Sequence, residues 1–347
     1  MSDLMWSIPP NCSDRSLTAM EQILAAKNDS ISTCMRIPLS DGVTSNPDDG
    51  WLMDDDEMRP LIKANVNPLA AKVFSGPPGS VGLSPRTKNV LLATEVREQE
   101  PWKEIVQKFD EIWASPGRPF QIMSSLTDPE RVVKVIPAST IPSSVVTNGI
   151  PQGSPTMMLH EEWDDIRGVE AVIRAWLRDG DLKDGVLIIS IRSSHIDQTS
   201  AFVTRIRMEE GVPRGMNRIF LMKNSSRKFL DSCLISSDVF ICSHTNERGW
   251  RPLAIKAALL GKPVISSNRG DITSHIGDCF WIDTPDIKNV TNETMNIAMD
   301  DMIHNVTEGF SHSLSTDAKP ALMLRSNGEK MPKFLHAAGE RLLSIGS

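Results

Sequence analysis

At 347 residues, with 40% hydrophobic and 23% charged residues, the chain has the balance of an ordinary globular protein long enough for about two domains. A net charge of -7 argues against a dedicated nucleic-acid binder, and no apolar run reaches the length that spans a bilayer. The opening MSDLMWSIPPNCSD has neither the basic start nor the apolar core of a secretory signal, so the expected location is cytoplasmic.

The elements follow in chain order. A short strand is expected over residues 3–8, then a polar turn holding Asn11 and Cys12, then a helix over SLTAMEQILAA. Residues 71–74 and 89–93 have strand length and composition. From 101 to 114, Trp102, Ile105, Val106, Phe109, Ile112 and Trp113 recur at helical spacing and predict one amphipathic helix. Residues 119–123 and 132–136 read as strands. Pro137, Pro142, Pro151 and Pro155, set among Ser, Thr and Gly, mark the best linker.

A second series begins at Thr156. Residues 156–159, 186–190, 218–221, 239–242 and 263–266 are strand-like, with a helix expected over 169–177. Near the end, Phe334, Leu335, Ala338 and Leu342 share one helical face. Strands alternating with helices imply an α/β protein with mostly parallel sheets. The expected division is an N-terminal half over 1–150, a C-terminal half over 151–325 and a last helix over 326–347 that crosses back to the first half.

Several motifs invite chemistry and have plain structural readings beside it. The five cysteines (Cys12, Cys34, Cys233, Cys242 and Cys279) show no C-x-x-C pairing and fit reduced thiols, and the N-x-[ST] matches carry no weight without a secretory signal. With no tyrosine, any aromatic lining comes from eight Trp and ten Phe. Asp54, Asp55 and Asp56 form a literal D-x-D, but no buried strand precedes them, and a solvated acidic turn explains them better. SGPPGSVG lacks the Gly-Lys-[ST] ending of a phosphate loop. His195, His244 and the acidic pairs Glu161/Glu162 and Asp164/Asp165 read as structural or surface groups. No metal site and no cofactor are expected.

The most informative stretch is SSDVFICSHTNERGWRPLAIKAALLGKPVISSNRGD, residues 236–271. It leaves a buried strand, places Glu247 near Gly249, and enters a small-residue helix through Pro252, which suits the first helical turn. Such a helix start offers unpaired N–H groups to an anion. The order of Asp238, Glu247, Pro252, Gly261, Pro263 and Val264 resembles the donor-binding segment of family 4-type glycosyltransferases of the GT-B fold, with Gly249 and Trp250 in swapped order. RGVEAVIRAW (167–176) and KEIVQKFDEIWASPG (103–117) with VKVIPAST extend the resemblance over roughly residues 90–285.

The resemblance implies a GT-B fold of two Rossmann-like domains and transfer of a sugar from a nucleotide-diphosphate donor to an acceptor hydroxyl, with retention. Glu247 would hold sugar hydroxyls as the catalytic residue. The segment Gly249, Trp250, Arg251, Pro252, Leu253 and Lys256, with Arg167 and Arg192, would line the donor. Glu95 and Asn11 are the acceptor-side candidates. The acceptor, whether glycan, lipid, protein or nucleic-acid base, is open. Three features depart from the family: its second Glu falls at Ile255, its partner Arg falls near Glu161, with Arg192 the candidate substitute, and its glycine-rich first loop is replaced by Pro-Pro-Asn-Cys-Ser-Asp after Ile8. These departures leave one rival reading, a non-catalytic GT-B-like binding module; the small basic clusters TRIRMEEG and KNSSRK carry another, a viral-type DNA-base glycosyltransferase.

Overall fold

In the computed structural model the described residues are 4–8, 14–28, 33–36, 71–75, 83, 85–96, 101–135, 137, 139, 154–160, 166–191, 196–223, 227–243, 249–268, 272, 276, 279–282 and 292–315. The expected linker lies largely outside them, and the expected last helix lies wholly outside, as do Asn11, Cys12, the three aspartates 54–56, Glu161, Glu162, Asp164, Asp165, Arg192, His195, His244 and Glu247.

The apolar runs pair into two sheets, each six-stranded among the described residues and parallel throughout. The first is formed by β1 (Leu4–Ser7), β2 (Thr33–Arg36), β3 (Ala71–Ser75), β4 (Asn89–Ala93), β5 (Glu111–Ala114) and β6 (Val132–Lys134), in the order β2-β1-β3-β4-β5-β6. The second is formed by β7 (Thr156–His160), β8 (Val186–Ile191), β9 (Arg218–Lys223), β10 (Val239–Cys242), β11 (Val264–Ser267) and β12 (Phe280–Ile282). Its order, β9-β8-β7-β10-β11-β12, places the strands third, second, first, fourth, fifth and sixth, which is the Rossmann arrangement. Chain direction across this sheet reverses between β7 and β10.

Eight helices frame these strands: α1 (Asp14–Asn28), α2 (Trp102–Val106), α3 (Arg118–Leu126), α4 (Ile166–Arg178), α5 (Ile196–Glu209), α6 (Arg227–Ser236), α7 (Pro252–Leu259) and α8 (Asn292–Ser315), counted among the described residues. α4 turns one apolar face (Val169, Val172, Ile173 and Trp176) to the second sheet, and Trp176 meets Phe310 of α8 edge-on at 6.0 Å. α1 is different, with every position from 15 to 24 buried. Its Leu17, Met20 and Ile23 belong to one apolar cluster with Phe240, Leu253, Ile255 and Ala258 of the second half, so a single core runs across the two halves.

Residues 101–126 differ from the sequence expectation. The helix stops at Val106, and Glu111–Ala114 is a central strand. Asp110 fixes the turn, accepting the Asn89 N–H at 2.7 Å, while Trp113 Nε1 and Lys88 Nζ both donate to the Glu111 carboxylate at 2.7 Å. The stretch expected as a strand at 119–123 is α3, which Gly117 (φ 86°) opens and Pro119 enters in its first turn, where proline's lost N–H costs nothing.

On the far side of α4, Arg174 bonds Glu170 at 2.7 Å, Glu209 at 2.5 Å and Glu210 at 2.6 Å, and Arg178 bonds Glu210 at 2.7 Å. The Arg178 and Arg174 contacts hold the Glu210 carboxyl below its ordinary 4.5. A depressed carboxylate contributes stability that is present above its unfolded value and lost as pH falls through the folded one. Glu210→Gln is expected to cost about 1 kcal/mol at pH 7, solvent screening included. The difference in urea midpoints should close as pH drops below 4.5. A gap that stays constant into acid would show that the ion pairs do not carry it.

Candidate functional site

In an open α/β sheet, ligands bind beyond the carboxyl ends of the strands where strand order reverses. In the second half that point lies between β7 and β10, and the residues flanking it pack closely. α4 begins just after β7, and Gly168 in its first turn is so near the end of β10 that a Cβ there would lie 1.9 Å from the Ser243 carbonyl oxygen. Only glycine lets the helix start sit on that strand end. Arg167, one residue earlier, is exposed. At the strand ends His160 Nδ1 and Ser190 Oγ are 3.1 Å apart, both side chains buried.

The segment after β10 touches the first half directly. Gly249 has φ +107° and forms a β-bridge with Glu95, and a Cβ on it would lie 2.4 Å from the Thr94 carbonyl oxygen. The next N–H, on Trp250, donates to that carbonyl at 2.9 Å. Glu95 is buried, with Arg15 Nε at 3.9 Å and the Arg15 guanidinium over the Trp102 ring at 6.0 Å. Thus Glu95, expected on the acceptor side, is brought against the segment expected to bind the donor.

The remaining expected donor residues fall into two groups. Arg251 caps α7 in an extended conformation and is buried, as are Trp250, Pro252 and Leu253. Pro252 carries no N–H and that of Trp250 is engaged by Thr94, so Leu253 and Ala254 supply the amides left without a helical carbonyl. Lys256 does not line an open surface. Its side chain is 2% exposed, and its Nζ bonds Glu21 Oε1 at 2.7 Å and Asp231 Oδ1 at 2.8 Å. Ile255, at the family's second Glu, is fully buried in the shared core.

Reading the sequence overlooked Glu21, Arg227 and Asp231, which surround Lys256. The signal was present. Glu21 falls on the same helical stripe as Leu17, Met20 and Leu24, and Asp231 lies between buried Leu230 and Leu234. A charge on a stripe that must be apolar needs an opposite charge in the core. Among the described residues no three His, Cys, Asp or Glu side chains are placed to hold a metal ion, and no helix is long and apolar enough to cross a membrane.

No protein-family model and no curated protein sequence matches the chain. Solved structures do match in fold. Sucrose-phosphate synthase from Thermosynechococcus elongatus aligns over 100% of both chains with a TM-score of 0.60 and 13% identity. Anabaena Alr3699/HepE, solved in complex with UDP-glucose, aligns over 97% of this chain and 100% of its own, at 0.59 and 8%. A glycosyltransferase from Rickettsia africae ESF-5 aligns over 96% of this chain and 98% of its own, at 0.54 and 12%. At such identities the likeness defines the architecture, a GT-B-like pair of Rossmann-like halves.

Gly249→Ala is expected to destabilise the protein by about 2 kcal/mol or more, since a side chain at this φ is strained and must also push back the Thr94 backbone. Urea unfolding checks this. A change within about 0.5 kcal/mol would mean that the bridge between the halves yields freely.

Proposed function

We propose that the protein is a glycosyltransferase that moves a hexose from a nucleotide-diphosphate donor to an acceptor hydroxyl with retention of configuration. The observation that carries this reading is the switch point itself. Arg167 and the start of α4 meet the end of β10 there, and Glu247 follows β10 in the sequence, between Ser243 and Gly249. The fold likeness to structures such as the UDP-glucose complex of Alr3699/HepE supports a nucleotide-sugar as the ligand class.

In this reading the diphosphate lies between the Arg167 guanidinium and the Leu253 and Ala254 amides at the positive end of α7. As the bond from the anomeric carbon to the diphosphate oxygen breaks, negative charge grows on the leaving group, and the fixed cation and amides stabilise it. Glu247 accepts hydrogen bonds from sugar hydroxyls and orients the ring. Glu95 and Arg15, on the first half, face the acceptor. Catalysis is then positional and electrostatic. The division into an acceptor half before residue 150 and a donor half after it is part of the same proposal.

One observation favours a second reading, a non-catalytic binding module. Helix α7 offers no carboxylate to a ribose, since Ile255 faces the core and Lys256 is held by two acids. Hydrolysis of a panel of nucleotide-sugars, with thermal shifts in UDP and GDP, separates the two. A shift of melting temperature with turnover supports the enzyme, and no shift with any nucleotide supports the module.

Glu247→Ala is expected to lower turnover by about 10²-fold with an unchanged circular dichroism spectrum, the scale of losing one transition-state contact. An unchanged rate removes Glu247 from the mechanism. Arg167→Ala is expected to weaken a nucleoside diphosphate about tenfold while leaving the nucleoside's affinity in place. Equal weakening of both by calorimetry would contradict a phosphate contact.

A further inference from the structure

The charges around Lys256 join the two halves. Glu21 comes from α1, the helix of the first half whose positions 15–24 are all buried, and Lys256 from α7, the helix that follows the segment bridged to Thr94. Their side chains are each 2% exposed and meet at 2.7 Å. Asp231 of α6 takes the second Lys256 contact at 2.8 Å, and Arg227 closes on Asp231 Oδ2 at 3.2 Å and on Glu21 at 4.0 Å. Two acids and two bases sum to zero charge.

Such a cluster is a poor source of net stability, because desolvating each ion costs several kcal/mol. Burial pushes the Asp231 carboxyl up, and the Lys256 ammonium opposes that rise. What the cluster supplies is direction. An apolar contact tolerates sliding by an ångström or two, whereas an ammonium held by two carboxylates in the core has one satisfactory position. The apolar cluster that includes Leu17, Met20, Leu253 and Ile255 presses α1 and α7 together, and the Lys256 contacts choose the register in which they meet.

We propose that Glu21 is a positioning residue for the donor site: acting through Lys256, it fixes α7 and the residues 249–253 ahead of it against the first half. This rests on the functional reading above for its consequence in catalysis, but not for its structural content. The site is then assembled by both halves in one register, with a residue of the first half that does not touch the donor setting the position of the donor-side amides.

The test is hydrogen–deuterium exchange on the full chain, wild type against Glu21→Gln and Glu21→Asp. Glu21→Gln is expected to speed exchange of the amides in 249–260 at least about tenfold through local opening, while β8 and β9 keep wild-type protection. Glu21→Asp retains the charge at a shorter reach and guards against a Gln variant that fails to fold. It is expected to give a smaller rise in the same segment, and in a transfer assay to raise the donor KM with little change in kcat. Wild-type exchange at 249–260 in both variants, or an equal rise in every element, overturns the positioning role. Since exchange needs no substrate, a wild-type protein that fails to turn over any nucleotide-sugar sinks the functional reading alone.

Discussion

A lysine ammonium sealed between two carboxylates, inside a helix that otherwise carries only apolar side chains, sets the relation between the halves of this molecule. Lys256 reaches Glu21 across the junction and Asp231 within its own half. Removing either acid would leave a buried cation short of a partner, a loss of about 3–5 kcal/mol. Trp250 N–H on the Thr94 carbonyl and the Gly249–Glu95 bridge repeat the connection six and seven residues before Lys256. Both lie just ahead of α7, so the segment leading into that helix is pinned from outside its own sheet.

This arrangement makes sense of residues that a composition count leaves unexplained. Gly168 and Gly249 are each required by a backbone carbonyl of another element at a distance no Cβ tolerates. The first brings the start of α4, with exposed Arg167, onto the end of β10. The second brings Gly249 and Trp250, just ahead of α7, against Thr94. The first of these contacts lies where strand order reverses, the place where an α/β sheet opens a crevice. Where a second carboxylate would meet a ribose in the family the sequence resembles, α7 instead turns Ile255 and Lys256 inward.

Most strands were legible because parallel strands buried on both faces are continuous apolar runs, as VLIIS, VFIC and NVLLA show. The failure at 101–126 has a definite cause. Phe109, Ile112 and Trp113 continue the spacing begun by Trp102, so periodicity alone joins a five-residue helix to a four-residue strand. The interruption is carried by Asp110 and its bond to Asn89, a strand residue 21 positions earlier that no local pattern contains. Helix α5 escaped notice because its buried positions, Thr199, Val203 and Ile206, are sparse, and β12 because it is three residues long. At the candidate site, Arg167 and the Gly249–Leu253 segment were nominated by resemblance. The Glu21–Lys256 pair was missed because its members lie 235 residues apart, and only the fold tells which stray charge answers which.

The most direct measurement is a crystal structure of the protein soaked with a panel of nucleotide-sugars. The diphosphate is expected beside Arg167 and the start of α7, with the sugar toward Glu247 and the Lys256 contacts unchanged. A nucleotide bound away from the β7–β10 switch point, or none bound at saturating concentration, would contradict a donor site built there.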